Sequence, residues 1–180
     1  MRTDMCASIQ LGHDQAMQIE VTTGDVVQAQ VEALVTAANA ALRGGGGVDG
    51  AIHRAAGPEL LQALRSLAPC QIGGAVITPA FRIPSPVRFV VHAVGPRYGR
   101  DEPAADLLAG AYTESLARCD EVGAKSVAFP ALSTGVYGYP LSDACRISVT
   151  ALKATQTQVE RCVLVAYDNR TRQLWEQALA

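Results

Sequence analysis

Gly44 to Gly47 are four consecutive glycines, inside a stretch that reads Asn-Ala-Ala-Leu-Arg-Gly-Gly-Gly-Gly-Val-Asp-Gly-Ala-Ile-His-Arg-Ala-Ala-Gly from Asn39 to Gly57. Glycine gives up the most backbone freedom on folding, so such a run belongs where the chain bends sharply or must come close to something. The apolar run Val31 to Ala38 precedes it, and Val48, Ile52, Ala55 and Ala56 follow at helical spacing. A strand, a glycine loop and a helix are therefore expected in that order. The bare N–H groups at such a helix start attract anions, and a loop without Cβ atoms lets a phosphate reach them. The rest of the chain reads as a scaffold for this loop.

The scaffold alternates strand and helix. Gln18 to Thr22 has Ile19 and Val21 on one face, and the turn Thr23-Gly24-Asp25-Val26 leaves Asp25 at its end as a turn or cap residue. Val31 to Ala38, apolar except for Glu32 and Thr36, suits a strand covered on both faces. Pro58 to Ala68 continues as a helix with Leu60, Leu61, Leu64 and Leu67 as its buried stripe. Strands follow at Ala75 to Ala80 and Arg88 to Val94, the latter carrying His92 as a hydrogen-bonded core residue. A helix begins at Pro103, packs through Leu108, Tyr112, Leu116 and Cys119, and stops at Gly123. The strand Ser126 to Leu132 is broken by Pro130; a helix at Leu141 to Ala154, a strand at Arg161 to Tyr167 and a helix at Thr171 to Leu179 complete the chain. Residues 1–16 keep no period and are expected to form a flexible tail, leaving 17–180 as one domain. This order implies an α/β fold with a mostly parallel sheet between helices.

Ligands of such sheets bind off the carboxyl ends of the strands. Asn39 stands at one end, and the loop Ser133-Thr134-Gly135-Val136-Tyr137-Gly138-Tyr139-Pro140 at another, so two glycine-bearing loops could hold one ligand between them. Tyr167 ends a third strand, where its ring could stack on a base, although core packing is the safer reading of that residue alone. Asp49 in the first helical turn either offsets the helix dipole, worth up to about 1 kcal/mol, or faces a hydroxyl or water beyond the phosphates. A carboxylate beside an anion loop otherwise repels its ligand, which favours the second use. His53 reads as a packed or exposed helix residue rather than a base.

Composition narrows the classes further. A net charge of -2 with only two lysines, Lys125 and Lys153, gives no field to gather nucleic acid. The cysteines Cys6, Cys70, Cys119, Cys145 and Cys162 are odd in number and lack C-x-x-C spacing. Neither a zinc nor a disulfide framework is expected, and a reducing cytoplasm is the default compartment. No apolar run reaches membrane-spanning length, and Arg2, Asp4, Gln10, His13 and Asp14 interrupt the N-terminus where a signal peptide needs an apolar core.

Two motif matches fail on context, and a third motif is absent. Gly45-x-Gly47-x-x-Gly50 fits the dinucleotide fingerprint, but Asn39 to Gly44 separate it from its strand and no acid for a ribose stands near Cys70 and Gln71. No G-x-x-x-x-G-K-[ST] occurs. Ala131-Leu132-Ser133-Thr134-Gly135 imitates a nucleophile elbow, yet His13, His53 and His92 all precede the serine, against the order that fold requires.

An ordered set of pieces resembles one family, the macrodomains, and within it the bacterial and mitochondrial MacroD-type branch. They are Gly24-Asp25-Val26, Val31 through Asn39, Gly44 through Gly57, Val91-His92-Ala93-Val94-Gly95-Pro96 and Pro130 through Pro140. The resemblance runs from about Gln18 to the C-terminus. It implies a three-layer α/β/α sandwich around a mixed, mostly parallel sheet, with ADP-ribose as ligand, no metal, no cofactor and a monomeric state. By position, Asp25, followed by Val26, would accept from the adenine amino group, with Tyr167 stacked near the base. Gly44, Gly45, Gly46, Gly47 and Val48, with Ser133, Thr134, Gly135, Val136 and Tyr137, would enclose the diphosphate and distal ribose. Asn39 and Asp49 would contact that ribose as the catalytic residues, shielded by Tyr137.

The reaction implied is hydrolysis of an ester between the distal ribose and a protein carboxylate or an acetyl group, so the partners would be ADP-ribosylated proteins or O-acetyl-ADP-ribose. A water held by Asp49 or a ligand phosphate would attack. A non-catalytic reader of ADP-ribose and a regulator of an RNA-processing enzyme are the rival readings. Two positions depart from the family pattern: Thr36 stands where an asparagine is common, and Gly74 where Gly-Glu-Ala is frequent.

Overall fold

The computed structural model describes residues 16–180; the tail expected over 1–16 falls, but for Ala16, outside the described residues. The strands are β1 (Gln18–Thr23), β2 (Ala33–Ala37), β3 (Ala75–Pro79), β4 (Phe89–Ala93), β5 (Ser126–Phe129) and β6 (Arg161–Ala166). The helices are α1 (Gly47–Ala56), α2 (Pro58–Leu64), α3 (Ala104–Glu121), α4 (Leu141–Ala154) and α5 (Asn169–Leu179). One sheet runs β1-β6-β5-β2-β4-β3, parallel throughout except for antiparallel β3 against β4. This is the mostly parallel sheet between helices that the pattern implied, mixed as the family resemblance implied.

Period-2 alternation decides which helices each strand residue meets. Ala33, Val35, Val91, Ala93, Val127, Phe129, Cys162 and Leu164 enter a core with α3, α4 and α5, where Leu108, Tyr112, Leu116, Val149, Leu152 and Trp175 are buried. Leu34, Val90, Ala128, Val163 and Val165 point the other way, into a core with Ile52, Ala56 and Leu60 of α1 and α2. Each fully buried aliphatic side chain contributes roughly 1.5–3 kcal/mol over an exposed one. The two cores therefore fix the sheet between two helical layers, and they fix the phase of every strand.

Several boundaries differ from expectation for local reasons. Helix α2 ends at Leu64, so only Leu60 and Leu64 of its expected stripe are buried, while Leu61 is 36% and Leu67 39% exposed. Leu60 and Leu64 share one face at i, i+4, whereas Leu61 lies off it and Leu67 follows the helix. Strand β5 stops at Phe129 because Pro130 has no N–H for the ladder. The buried Tyr112 hydroxyl closes the break, donating to the Pro130 carbonyl at 3.3 Å and accepting from Leu132 N at 3.2 Å. Helix α5 starts two residues earlier than expected because Asp168 caps it, accepting from Thr171 N at 2.8 Å. Among the described residues no helix is long and apolar enough to cross a membrane.

Candidate functional site

Five parallel strands end at one edge of the sheet, and each residue singled out from the sequence follows such an end. Across the edge the order is Asp25 after β1, Tyr167 after β6, Ser133 to Tyr137 after β5, and Asn39 with the glycine loop after β2. Three strand spacings separate β1 from β2, about 14 Å, a span that suits an elongated ligand.

Asp49 is 4% exposed although its side chain is an acid. Its position follows from the phase of β2: Thr36 shares the face of Leu34, which α1 covers, and its hydroxyl donates to Asp49 Oδ1 at 2.9 Å in a fully buried contact. Burial raises the pKa of the Asp49 carboxyl; the Thr36 hydrogen bond and nearby His53 oppose the rise. His53 Nε2 lies 3.7 Å from Oδ2, one helical turn along α1. That second oxygen faces the glycine loop, since a Cβ built on Gly45 would sit 3.6 Å from Oδ2 and 4.0 Å from Asn39 Nδ2.

Asn39 shapes the loop rather than reaching out of it. Its Nδ2 donates to the Gly44 carbonyl at 2.8 Å, and its Oδ1 accepts from Arg43 N at 3.3 Å. The loop ends earlier than expected, because Gly47 and Val48 already belong to α1. Gly50 is required for packing: a Cβ there would lie 2.7 Å from the Gly45 carbonyl.

Gly46 and Gly135 are different. Neither carries a positive φ, and a Cβ on either would meet no atom within 4 Å. Neither packing nor backbone strain calls for glycine at these two positions. They stand one in each loop, both with open space in front, as close approach of a ligand requires. The second loop is held tightly behind that space. Ser133 adopts φ 65, an uncommon conformation for a non-glycine residue, and Gly95 after β4 makes room for it, since a Cβ there would lie 2.1 Å from Ser133 Oγ. Ser133 is 6% exposed and its Oγ has no partner among the described residues. Thr134 Oγ1 donates to the Ala131 carbonyl at 2.8 Å; Tyr137 is half-buried, and Val136 is fully exposed.

At the other end of the row, exposed Asp25 accepts from Val27 N at 3.0 Å with Oδ1. Val26 packs into the α1/α2 core, which leaves its backbone for any ligand. Tyr167 is 91% exposed, so the core-packing reading of this residue is corrected: the ring lies beyond the last turn of ladder, with no neighbour to bury it.

His92 is fully buried, as expected, and its Nε2 meets Thr78 Oγ1 at 3.0 Å while Nδ1 has no partner. Burial pushes its pKa down to about 3, so the ring is neutral at ordinary pH. It pairs in register with Thr36 and shares that residue's face, which brings it to His53 at 6.3 Å between ring centroids. Asp49, His53 and His92 thus offer donor atoms within 4.8 Å of one another, a set that a buried water or a divalent ion could join. The sequence reading overlooked this grouping. Its signals were the i, i+4 spacing of Asp49 and His53 and the shared parity of Leu34 with Thr36 and Val90 with His92.

Comparisons with known proteins show the family and the fold. The family model of the macro domain matches residues 35–148. The chain is 44% identical over 170 residues to an O-acetyl-ADP-ribose deacetylase of Salmonella typhimurium, covering 90% of this chain and 94% of the relative. It is 42% identical over 166 residues to a macro domain-containing protein of Chlorobaculum tepidum, covering 90% and 95%. Among solved structures, an Oceanobacillus iheyensis macrodomain with ADP is similar at TM-score 0.83 and 35% identity, covering 89% of each chain. A Trypanosoma brucei macrodomain in complex with ADP-ribose reaches 0.81 at 35% identity, covering 90% of this chain and 69% of that one.

Proposed function

Because the chain belongs to the macro domain family, we propose that it binds ADP-ribose along the row from Asp25 to Asn39 and hydrolyses esters of the distal ribose. The substrates are O-acetyl-ADP-ribose and proteins mono-ADP-ribosylated on Asp or Glu. The adenine lies at Asp25 and Tyr167, the diphosphate between the loops bearing Gly46 and Gly135, and the distal ribose at Asn39 and Asp49.

The observation that carries the reaction is the division of labour on Asp49. One oxygen is held by Thr36 and the other faces the glycine loop. In the proposed step Oδ2 orients a water and takes its proton as the water oxygen attacks the acyl carbon. Backbone N–H groups of the loops steady the oxyanion. The carbon–oxygen bond to the ribose then breaks, the ribose oxygen regains a proton from Asp49, and ADP-ribose leaves with a free acid. The macro domain relative named as a deacetylase supports this reading, and the ADP-ribose complex of a structural neighbour supports the ligand.

Incubation with O-acetyl-ADP-ribose and with a glutamate-linked mono-ADP-ribosylated protein tests it by release of ADP-ribose. Release from either establishes a hydrolase. Binding of ADP-ribose with no release from both makes the protein a reader.

A second experiment asks what Thr36 does. Its hydroxyl favours the ionised form of Asp49, whereas burial disfavours it. In Thr36→Val only burial and His53 remain, so the pKa of Asp49 rises and a smaller fraction is ionised at any given pH. The acid limb of the kcat/KM profile is expected to move to higher pH, with the alkaline plateau less affected; Thr36→Ser should keep the parent profile. An unshifted limb in Thr36→Val would remove Thr36 from this role.

A further inference from the structure

Beside the glycine loop lies a groove of about 350 Å³ lined by Ala41, Leu42, Arg43, Leu61, Arg65 and Ala68. It adjoins the site along the chain. Ala41 is two residues from Asn39, Arg43 is the neighbour of Gly44, and Arg43 N donates to Asn39 Oδ1. At 3.8 Å between consecutive Cα atoms, its near lip lies within about 8 Å of the Asn39 Cα. Leu42 forms this lip at φ 52, its side chain 3% exposed, while its neighbours Ala41 and Arg43 are exposed. A non-glycine residue in that conformation is uncommon and concentrates at functional surfaces.

The groove has two features that the packing does not use. Leu61 lines it, exposed although it sits on α2. Arg43 and Arg65 are both exposed and, among the described residues, neither has a carboxylate within 4.0 Å, whereas seven other arginines are each paired. Arg54, Arg100 and Arg170 are unpaired too, but Arg43 and Arg65 are the two that face one cavity. In a chain of net charge -2, a groove with two uncompensated cations and short aliphatic walls is matched to an anionic, extended, non-aromatic partner. It has no aromatic platform on which bases could stack, which turns it away from single-stranded nucleic acid.

We propose that this groove seats an acidic peptide segment flanking the modified carboxylate, so that the substrate is an ADP-ribosylated protein carrying Asp or Glu residues near the modified site. The inference rests on the ester-hydrolase reading, and it places the chain of the substrate along Arg43 and Arg65 while its ADP-ribose occupies the row of strand ends.

Three substrates separate the possibilities: a glutamate-linked ADP-ribosyl peptide with acidic flanks, the same peptide with serine flanks, and O-acetyl-ADP-ribose. The parent should turn over the acidic peptide with a kcat/KM about 5- to 10-fold above the serine peptide, an advantage that shrinks as salt rises. Arg65→Glu should remove that advantage and leave O-acetyl-ADP-ribose turnover unchanged, while Arg65→Lys should keep most of it. An equal loss on O-acetyl-ADP-ribose would make the groove part of the ADP-ribose site, and an unchanged preference would empty it of this role; either overturns the proposal. If the parent hydrolyses none of the three, the hydrolase reading is what fails. The groove is then judged on binding of the acidic peptide, whose Kd should be 5- to 10-fold weaker for Arg65→Glu, and an unchanged Kd overturns it.

Discussion

Gly135→Val is expected to weaken ADP-ribose binding by at least about 100-fold while leaving the melting temperature of the free protein within about 2 °C of the parent. The two halves of this expectation have separate causes. A Cβ on Gly135 would meet no protein atom within 4 Å and the backbone there is not in the left-handed region, so the fold itself does not call for glycine at this position. In the proposed pose, the space it fills is the space the diphosphate needs. Hydrogen bonds to a charged group are worth about 1.5–3 kcal/mol each, and losing two of them is about two to four decades in affinity. Thermal shift reads both halves at once: the parent should gain melting temperature with added ADP-ribose, as a ligand bound only to the native state requires, and the variant should not. A variant that still gains would move the ligand off this loop.

The second large effect is at Asp49, where function and stability are expected to part. Asp49→Asn should lower turnover by about 10²–10⁴-fold, the usual range for a lost acid–base group, and should also make the protein more stable at neutral pH. The sign follows from linkage. An acid whose pKa is raised in the folded state binds its proton more tightly there than in the unfolded chain. Its favourable contribution is complete below the unfolded pKa and is lost as pH rises through the folded pKa. Wherever Asp49 is ionised the parent therefore carries a buried carboxylate at a cost that the amide avoids, while Oδ1 of the asparagine still accepts from Thr36. Each kcal/mol relieved should raise the melting temperature by about 2–4 °C in a chain of this size. The difference from the parent should narrow as pH falls through the carboxylate range. Lower stability in Asp49→Asn at pH 7, or near-normal turnover, would contradict the assignment.

What the sequence made legible was placement along the chain, and what it concealed was contact across it. The glycine run between an apolar segment and a helical stripe pointed to a loop at a strand end, and Asn39 and the glycines stand there because strand and helix periods are local properties. Thr36 was visible as a departure, and Asp49 as an acid with two possible uses; only the pairing of β2 with α1 joins them. Sheet order is the step that local pattern does not encode. That β6 lies between β1 and β5, and β4 beside β2, depends on long-range pairing, and it is this order that brings His92 to His53 and Tyr167 beside Asp25. Leu61 escaped for the converse reason: its apolar character marks a helix face, but nothing local says that no other layer covers it.

The strand order has a consequence for how the protein is made. Among the described residues β1, the first strand in the chain, has β6, the last, as its sole partner in the sheet. Until residue 166 has left the ribosome, the N-terminal strand has no ladder to join, and Asp25 and Tyr167 cannot stand side by side. In the proposed pose a ligand reaching from Asp25 to Asn39 spans both of these strands, so its binding would report that β1 and β6 have paired.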